Sequence, residues 1–106
     1  MDVPEVNCEE AVAMRDAGAV WIDVREPDEW REAHIDGTQH TPLADAVLHV
    51  PREHPDKGAT LVISCLSGGR SGQLVAHLRA QGYLDVHNLR GGIRAWVGEG
   101  RAIITE

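Results

Sequence analysis

The 106-residue sequence contains no phenylalanine, and aromatic residues make up only 4% of it. A hydrophobic fraction of 42% still allows a globular core, so that core must combine aliphatic side chains with three tryptophans, Trp21, Trp30 and Trp96. The shortage of aromatic side chains argues against the stacking platforms that bind single-stranded nucleic acids. A chain of this length is expected to form one domain over residues 1–106.

Positive charge is also scarce, because 10 Lys+Arg stand against 17 Asp+Glu and give a formal net charge of -7. Phosphate backbones and anionic lipid surfaces repel such a protein, so neither nucleic acid nor a membrane is expected as a partner. No apolar run approaches membrane-spanning length, and the acidic first residues lack the basic and apolar regions of a secretion signal. A cytoplasmic protein is therefore expected.

Cysteine occurs only twice, at Cys8 and Cys65, which is too few for a disulfide scaffold and indicates two separate thiols. Cys8 falls in the first turn of a predicted helix, where the helix dipole favours some thiolate character. No anion-holding loop surrounds Cys8, so a catalytic or resolving role is not expected. The spacing of His34 and His40 matches no recognised ligand pattern, and no metal site is expected.

Apolar runs alternate with helical patterns along the chain. Residues 19–24 and 59–65 are nearly continuous apolar runs, typical of strands buried on both faces of a parallel sheet, and residues 86–89 are a weaker third strand. Helices are predicted at five places: after an Asn7 cap, over 27–32, over 44–49 closed off by Pro51 and Pro55, from about residue 70 to Gly82, and over 93–97. Strands alternating with helices predict an α/β fold with ligands at the carboxyl ends of the strands.

Cys65 stands where the second apolar run ends, and the small residues that follow it allow a tight loop. Ser67, Gly68 and Gly69 would let the backbone amides curl around one anion, and Arg70 and a helix N-terminus would face the same point. These groups favour a thiolate over a thiol, which raises the reactive fraction of the sulfur at neutral pH. The alternative, a small apolar cysteine at a strand end, is less favoured because the glycines and arginine accompany it.

Four blocks in this order make the sequence resemble the rhodanese family of thiosulfate and persulfide sulfurtransferases. They are DVREPDEW at residues 23–30, HIDGT at 34–38 leading to Pro42 and Leu43, CLSGGRS at 65–71, and LRGG at 89–92 with Trp96. The resemblance implies a small α/β domain with a central parallel sheet flanked by helices. It identifies Cys65 as the residue that accepts a sulfane sulfur, with no metal or organic cofactor.

The same resemblance implies a binding loop and a set of partners. The loop residues are Leu66, Ser67, Gly68, Gly69, Arg70 and Ser71, whose amides would hold the persulfide while Arg70 assists the donor. The partners would be a small anionic sulfur donor, a thiol or cyanide acceptor, and in some cases a sulfur-accepting protein. Leu66 stands where many family members have a basic residue, so a dianion such as thiosulfate would be attracted less strongly.

Other readings remain for this site. A cysteine-dependent phosphatase or arsenate reductase would use the same residue types, but those loops are one residue longer than the four residues between Cys65 and Arg70. A non-catalytic sulfur-carrier or interaction module on the same fold is a further alternative. Interaction modules of this kind typically lack the cysteine, so the presence of Cys65 with an intact loop argues against that role. Asp23 and Arg25 end the first buried strand and would support the loop or bind substrate, although a structural ion pair is the favoured interpretation.

Overall fold

The strands of the computed structural model, which describes residues 3–105, form one five-stranded sheet in which all neighbours are parallel. The strands are β1 (Glu5–Val6), β2 (Val20–Asp23), β3 (Gln39–His40), β4 (Leu61–Ser64) and β5 (Val86–Leu89), in the spatial order β1-β5-β4-β2-β3. The helices are α1 (Cys8–Asp16), α2 (Pro27–Glu32), α3 (Leu43–Glu53), α4 (Gly69–Ala80) and α5 (Gly92–Gly98). The predicted parallel α/β fold is confirmed.

The central strand β4 is buried at all four positions, as its continuous apolar sequence predicts. Two groups of buried side chains cover the opposite faces of the sheet. One group includes Val50 from α3 and Leu74, Val75 and Leu78 from α4. The other includes Ala11 from α1 and Ile93 and Trp96 from α5, packed with Trp21 of β2. The sheet is therefore a middle layer between two pairs of helices.

Local capping explains where the first two helices begin. The Asn7 side chain accepts from the Glu10 amide at 2.8 Å, and the Glu10 carboxylate accepts from the Asn7 amide at 2.9 Å. Helix α2 begins at Pro27, and the Glu29 carboxylate accepts from the Glu26 amide at 2.9 Å. The predicted starts of both helices are confirmed.

Helix α3 is longer than the helix predicted over residues 44–49, and Pro51 lies inside it. Proline removes the donor to the carbonyl four residues earlier, but that residue, Val47, is exposed and its carbonyl can bond water. The burial of Ala46 and Val50 stabilises the last turn, which the His54 amide closes on the Val50 carbonyl at 2.8 Å. The helix ends before Pro55, whose ring disfavours helical backbone at His54.

The two-residue strands β1 and β3 lie outside the sequence predictions, which left residues 34–42 irregular. Their pairing partners hold them: β1 lies along β5, and β3 lies along β2. A strand of two residues has no measurable periodicity, so the sheet edge rather than the local sequence determines it. None of the helices within residues 3–105 combines the length and apolar character needed to span a bilayer.

Candidate active site

Cys65 follows the last residue of β4 and is buried at the floor of a loop that leads into α4. Its sulfur lies 3.1 Å from the Gly68 amide nitrogen and 3.2 Å from the Ser71 hydroxyl oxygen. Gly68 caps the helix with a φ of 105°, a left-handed conformation that favours glycine and turns its amide toward the sulfur. The loop thus surrounds a sulfur with hydrogen-bond donors, as an anion site requires.

The surroundings of Cys65 favour the thiolate. Burial alone disfavours a charged sulfur, but hydrogen bonds from the Ser71 hydroxyl and from loop amides outweigh it and lower the pKa of Cys65. The amides belong to Ser71, Gly68 and Ser67. The lowered pKa increases the fraction of the thiol that is ionised at neutral pH, which is what a nucleophilic sulfur needs.

The start of α5 holds the first part of the loop. The Ile93 amide donates to the Cys65 carbonyl and the Arg94 amide donates to the Leu66 carbonyl, both at 2.9 Å. Gly92 allows this contact, since a Cβ there would lie 2.4 Å from the Cys65 carbonyl oxygen. Sequence analysis missed this role, although the paired glycines after β5 were its signal. With its first two carbonyls bound outward, the loop is free to turn its later amides toward the sulfur.

Asn88 of β5 is a second residue that the sequence analysis missed. Its side-chain oxygen lies 2.5 Å from the Ser71 hydroxyl, and its side-chain nitrogen donates to the Gly68 carbonyl at 3.1 Å. Asn88 and Ser71 are both buried. Asn88 therefore positions the two residues that contact the Cys65 sulfur. Its polar side chain in a buried strand was the available signal, but nothing in the sequence pairs it with the loop.

Arg70 is tied to α2 and does not stand free in the loop. Its Nη1 donates to Glu29 Oε1 at 2.7 Å and its Nη2 to Glu29 Oε2 at 3.0 Å. The bidentate bond from Arg70 is the main reason that the pKa of Glu29 falls to about 2, and the same contact raises the pKa of Arg70. Glu29 also accepts from the Glu26 amide at 2.9 Å, so its carboxylate is fixed on both sides.

The remaining loop residues and the supporting pair occupy distinct places. Ser67 and Gly69 are exposed, and Gly69 is the first residue of α4. Asp23 and Arg25 form a buried ion pair, with Arg25 Nη2 2.9 Å from Asp23 Oδ2. Arg25 also donates to the Ala33 carbonyl at 2.6 Å, which anchors the end of α2. The pair thus has the structural geometry that the sequence analysis favoured.

A cavity of about 240 Å³ opens beside the loop. Its lining combines apolar side chains with charged ones, namely Leu66, Ala33, Ile93, Arg25, Glu29 and Glu32. Leu66 follows Cys65 directly and is half-buried, so the cavity begins at the loop that holds the sulfur. An organic molecule of a few heavy atoms would place its apolar part against Leu66, Ala33 and Ile93.

Cys8 differs from the expectation of partial thiolate character. Burial and a hydrogen bond with Glu99 raise the pKa of Cys8 to about 11, which outweighs the helix dipole. Cys8 and Cys65 are both free thiols. Within residues 3–105, no cluster of His, Cys, Asp and Glu side chains is arranged to hold a metal ion, and His34 instead stacks on Trp30 with ring centroids 3.7 Å apart.

Comparisons with known proteins agree with this architecture. Residues 7–99 match the family described as the rhodanese-like domain. The thiosulfate sulfurtransferase GlpE of Ectopseudomonas mendocina is 35% identical over 91 residues, covering 86% of this chain and 82% of the relative. A solved rhodanese with anions from Escherichia coli has a TM-score of 0.70 at 28% identity, with coverage of 84% and 100%.

The fold itself recurs in a rhodanese-related protein of Thermoplasma volcanium, with a TM-score of 0.83 at 24% identity and coverage of 97% and 99%. The chain spans most of the length of these relatives, so the likeness is not confined to the Cys65 loop. The family match also includes the α2 segment and the Gly91-Gly92 pair that hold the loop in place. The chain therefore belongs to the rhodanese-like domain family, and it is an enzyme of the rhodanese, or sulfurtransferase, type.

Proposed function

We propose that this protein moves a sulfane sulfur from thiosulfate or a persulfide donor to a thiophilic acceptor through a persulfide on Cys65. The observation that carries the proposal is the Cys65 sulfur at 3.1 Å from the Gly68 amide and 3.2 Å from the Ser71 hydroxyl. These donors stabilise a thiolate in a buried position, and they would equally stabilise the anionic terminal sulfur that replaces it. Relatives named thiosulfate sulfurtransferase support the same reaction class.

In the first half-reaction, the Cys65 thiolate attacks the outer sulfur of the donor. A new S–S bond forms to Cys65 while the old one breaks, and its electron pair leaves with sulfite or, for an organic persulfide, with the thiolate. The outer sulfur keeps its negative charge and becomes the terminal sulfur of the Cys65 persulfide. The loop amides from Leu66 to Ser71 hold that sulfur, and Leu66 borders the cavity through which the donor would approach.

In the second half-reaction, a thiol or cyanide attacks the outer sulfur of the Cys65 persulfide. Cyanide takes that sulfur as thiocyanate, and the S–S bonding pair returns to Cys65 as a thiolate. Charge and sulfur therefore balance over the cycle without an oxidant, and the chemistry requires no metal or organic cofactor. A sulfur-accepting protein would serve in the same way if its thiol reached the loop.

The persulfide cycle is the role that we assign to a single domain of 106 residues in the cytoplasm. Two free thiols, Cys8 and Cys65, support a reducing compartment. The net charge of -7 argues against nucleic acid and anionic membranes as partners.

Phosphatase or arsenate reductase chemistry is the second candidate, since it uses a cysteine and an arginine around an oxyanion. Four residues separate Cys65 from Arg70, which is one fewer than those loops have. The Arg70 guanidinium is also engaged by Glu29 in a bidentate bond, so it is not free to grip a tetrahedral oxyanion. Both observations favour sulfur transfer.

The test is one assay series with thiosulfate, a low-molecular-weight persulfide and an aryl phosphate, each with wild type, Cys65→Ser and Cys8→Ser. We expect sulfur transfer by wild type, none by Cys65→Ser, most of it by Cys8→Ser, and negligible phosphate release. Circular dichroism of both variants controls for loss of fold. Equal loss of transfer in the two cysteine variants, or a phosphatase rate as high as the sulfurtransferase rate, would overturn the proposal.

A further inference from the structure

Most charged side chains at the cavity and the adjoining loop form ion pairs with an oppositely charged side chain. Arg25 is paired with the buried carboxylate of Asp23, and Arg70 is paired with Glu29 through two hydrogen bonds. Glu32 also lines the cavity and makes no ion pair among residues 3–105. The one guanidinium that lines the cavity, that of Arg25, is therefore paired, and the one lining carboxylate that makes no ion pair within residues 3–105 is that of Glu32.

Glu29 is the residue that neutralises the charge of the loop cation, Arg70, through two hydrogen bonds. Its side chain is 27% exposed and that of Arg70 is 35% exposed, so the bridge is partly open to solvent, and Glu29 also lines the cavity. Because the pKa of Glu29 is about 2, the bridge is intact throughout the neutral range. A further hydrogen bond, from the Glu26 amide, fixes the position of the Glu29 carboxylate independently of Arg70. Glu29 would therefore stay in place if the Arg70 guanidinium turned toward a sulfur donor.

We propose that Glu29 determines which donors this enzyme accepts: by holding Arg70 it selects low-molecular-weight organic persulfides and discriminates against dianions such as thiosulfate. The inference rests on the proposed sulfur transfer at Cys65. An organic persulfide carries one negative charge at its reactive end, and its carbon chain fits against Leu66, Ala33 and Ile93. A dianion gains nothing from that apolar lining, and the two cations at the lining and the loop, Arg25 and Arg70, are both engaged by carboxylates.

Replacing Glu29 with Gln tests this assignment because it frees the charge of Arg70 while preserving local structure. Glutamine can still accept from the Glu26 amide, so the cap of α2 is retained. Asp28→Asn is the matched control: it removes one negative charge from the same helix, at an exposed neighbour of Glu29 that makes no bridge to Arg70. Thermal unfolding of each variant shows that the fold is kept.

The measured quantity is the ratio of kcat/KM for thiosulfate to kcat/KM for 2-hydroxyethyl persulfide. Two donors are needed because a freed Arg70 would also increase the reactivity of Cys65, and that effect would raise both rates equally. A guanidinium near a partly exposed site attracts a dianion more strongly than a monoanion, so Glu29→Gln should raise the ratio roughly tenfold. Asp28→Asn should change it by less than about twofold.

Each outcome has a distinct meaning. A ratio that rises only in Glu29→Gln, and less at high salt, supports the assignment. An unchanged ratio in Glu29→Gln, or an equal rise in Asp28→Asn, overturns it even though Cys65 still transfers sulfur. If wild type forms no Cys65 persulfide from either donor, the proposed function itself fails, which is a different result from a failed selectivity test.

Discussion

Replacing Ser71 with Ala should raise the pKa of Cys65, because it removes the one side-chain hydroxyl among the hydrogen-bond donors that lower this pKa. The hydroxyl lies 3.2 Å from the Cys65 sulfur and is fully buried, so water is not positioned to replace it. The Ser71 hydroxyl has one proton, which it shares between the Cys65 sulfur and the Asn88 side-chain oxygen at 2.5 Å. The upper limit of the effect is the loss of a full hydrogen bond to a charged group, about 1.5 to 3 kcal/mol, which corresponds to a rise in the pKa of about one to two units. At a pH below the pKa of the wild-type thiol, the thiolate fraction should fall by up to about ten- to a hundredfold.

The assay is the pH dependence of the rate at which iodoacetamide alkylates Cys65. It is measured in a Cys8→Ser background, so that Cys65 is the thiol that reacts. Ser67→Ala is the control, since Ser67 lies in the same loop with an exposed side chain and contributes through its backbone amide. Ser71→Ala also leaves the buried Asn88 oxygen without its partner, so stability is measured separately by urea unfolding. The reasoning is refuted if the alkylation pKa of Cys65 is the same in Ser71→Ala and Ser67→Ala.

Two further predictions concern stability. Gly92→Ala should destabilise the fold by about 1 to 3 kcal/mol and slow sulfur transfer, because its Cβ would meet the Cys65 carbonyl oxygen at 2.4 Å. Gly98→Ala in the same helix is the control: no atom lies within 4 Å of its Cβ, so it should be neutral or slightly stabilising in urea unfolding. The Glu29–Arg70 bridge should contribute up to about 1 kcal/mol at neutral pH, given its partial exposure. Because the pKa of Glu29 is lowered to about 2 from 4.5, that contribution is present above pH 4.5 and is lost as pH falls toward 2. The difference in unfolding free energy between wild type and Glu29→Gln should therefore shrink over that range. A difference that stays constant would contradict the prediction.

The elements that could be predicted from the sequence are those with a local physical signature. The buried strands β2 and β4 are continuous apolar runs, and the loop after Cys65 combines small residues with an arginine at fixed spacing. The start of α1 follows from the Asn7 and Glu10 capping pair. Each of these signals lies within a few residues of the structure that it predicts.

The features that could not be predicted depend on contacts between distant parts of the chain. Arg70 meets Glu29 across 41 residues, so the loop sequence that predicts a cation beside Cys65 carries no sign of the bridge to α2. Asn88 approaches Ser71 only because β5 lies beside β4 in the sheet. Pro51 and Pro55 were expected to close helix α3 after residue 49, but it continues through Pro51 to Glu53, because Val50 is buried and Val47, whose carbonyl loses its donor, is an exposed residue.

The central claim is that Cys65 carries the transferred sulfur, and mass spectrometry of the protein after one exposure to donor tests it most directly. Wild type is treated with 2-hydroxyethyl persulfide or with thiosulfate, the excess is removed, and the masses of the intact protein and of the peptide containing Cys65 are measured. The account predicts a gain of one sulfur atom on the Cys65 peptide, which disappears on addition of cyanide as an equal amount of thiocyanate forms. Sulfur found on Cys8, or continued turnover with no added sulfur on Cys65, would contradict it.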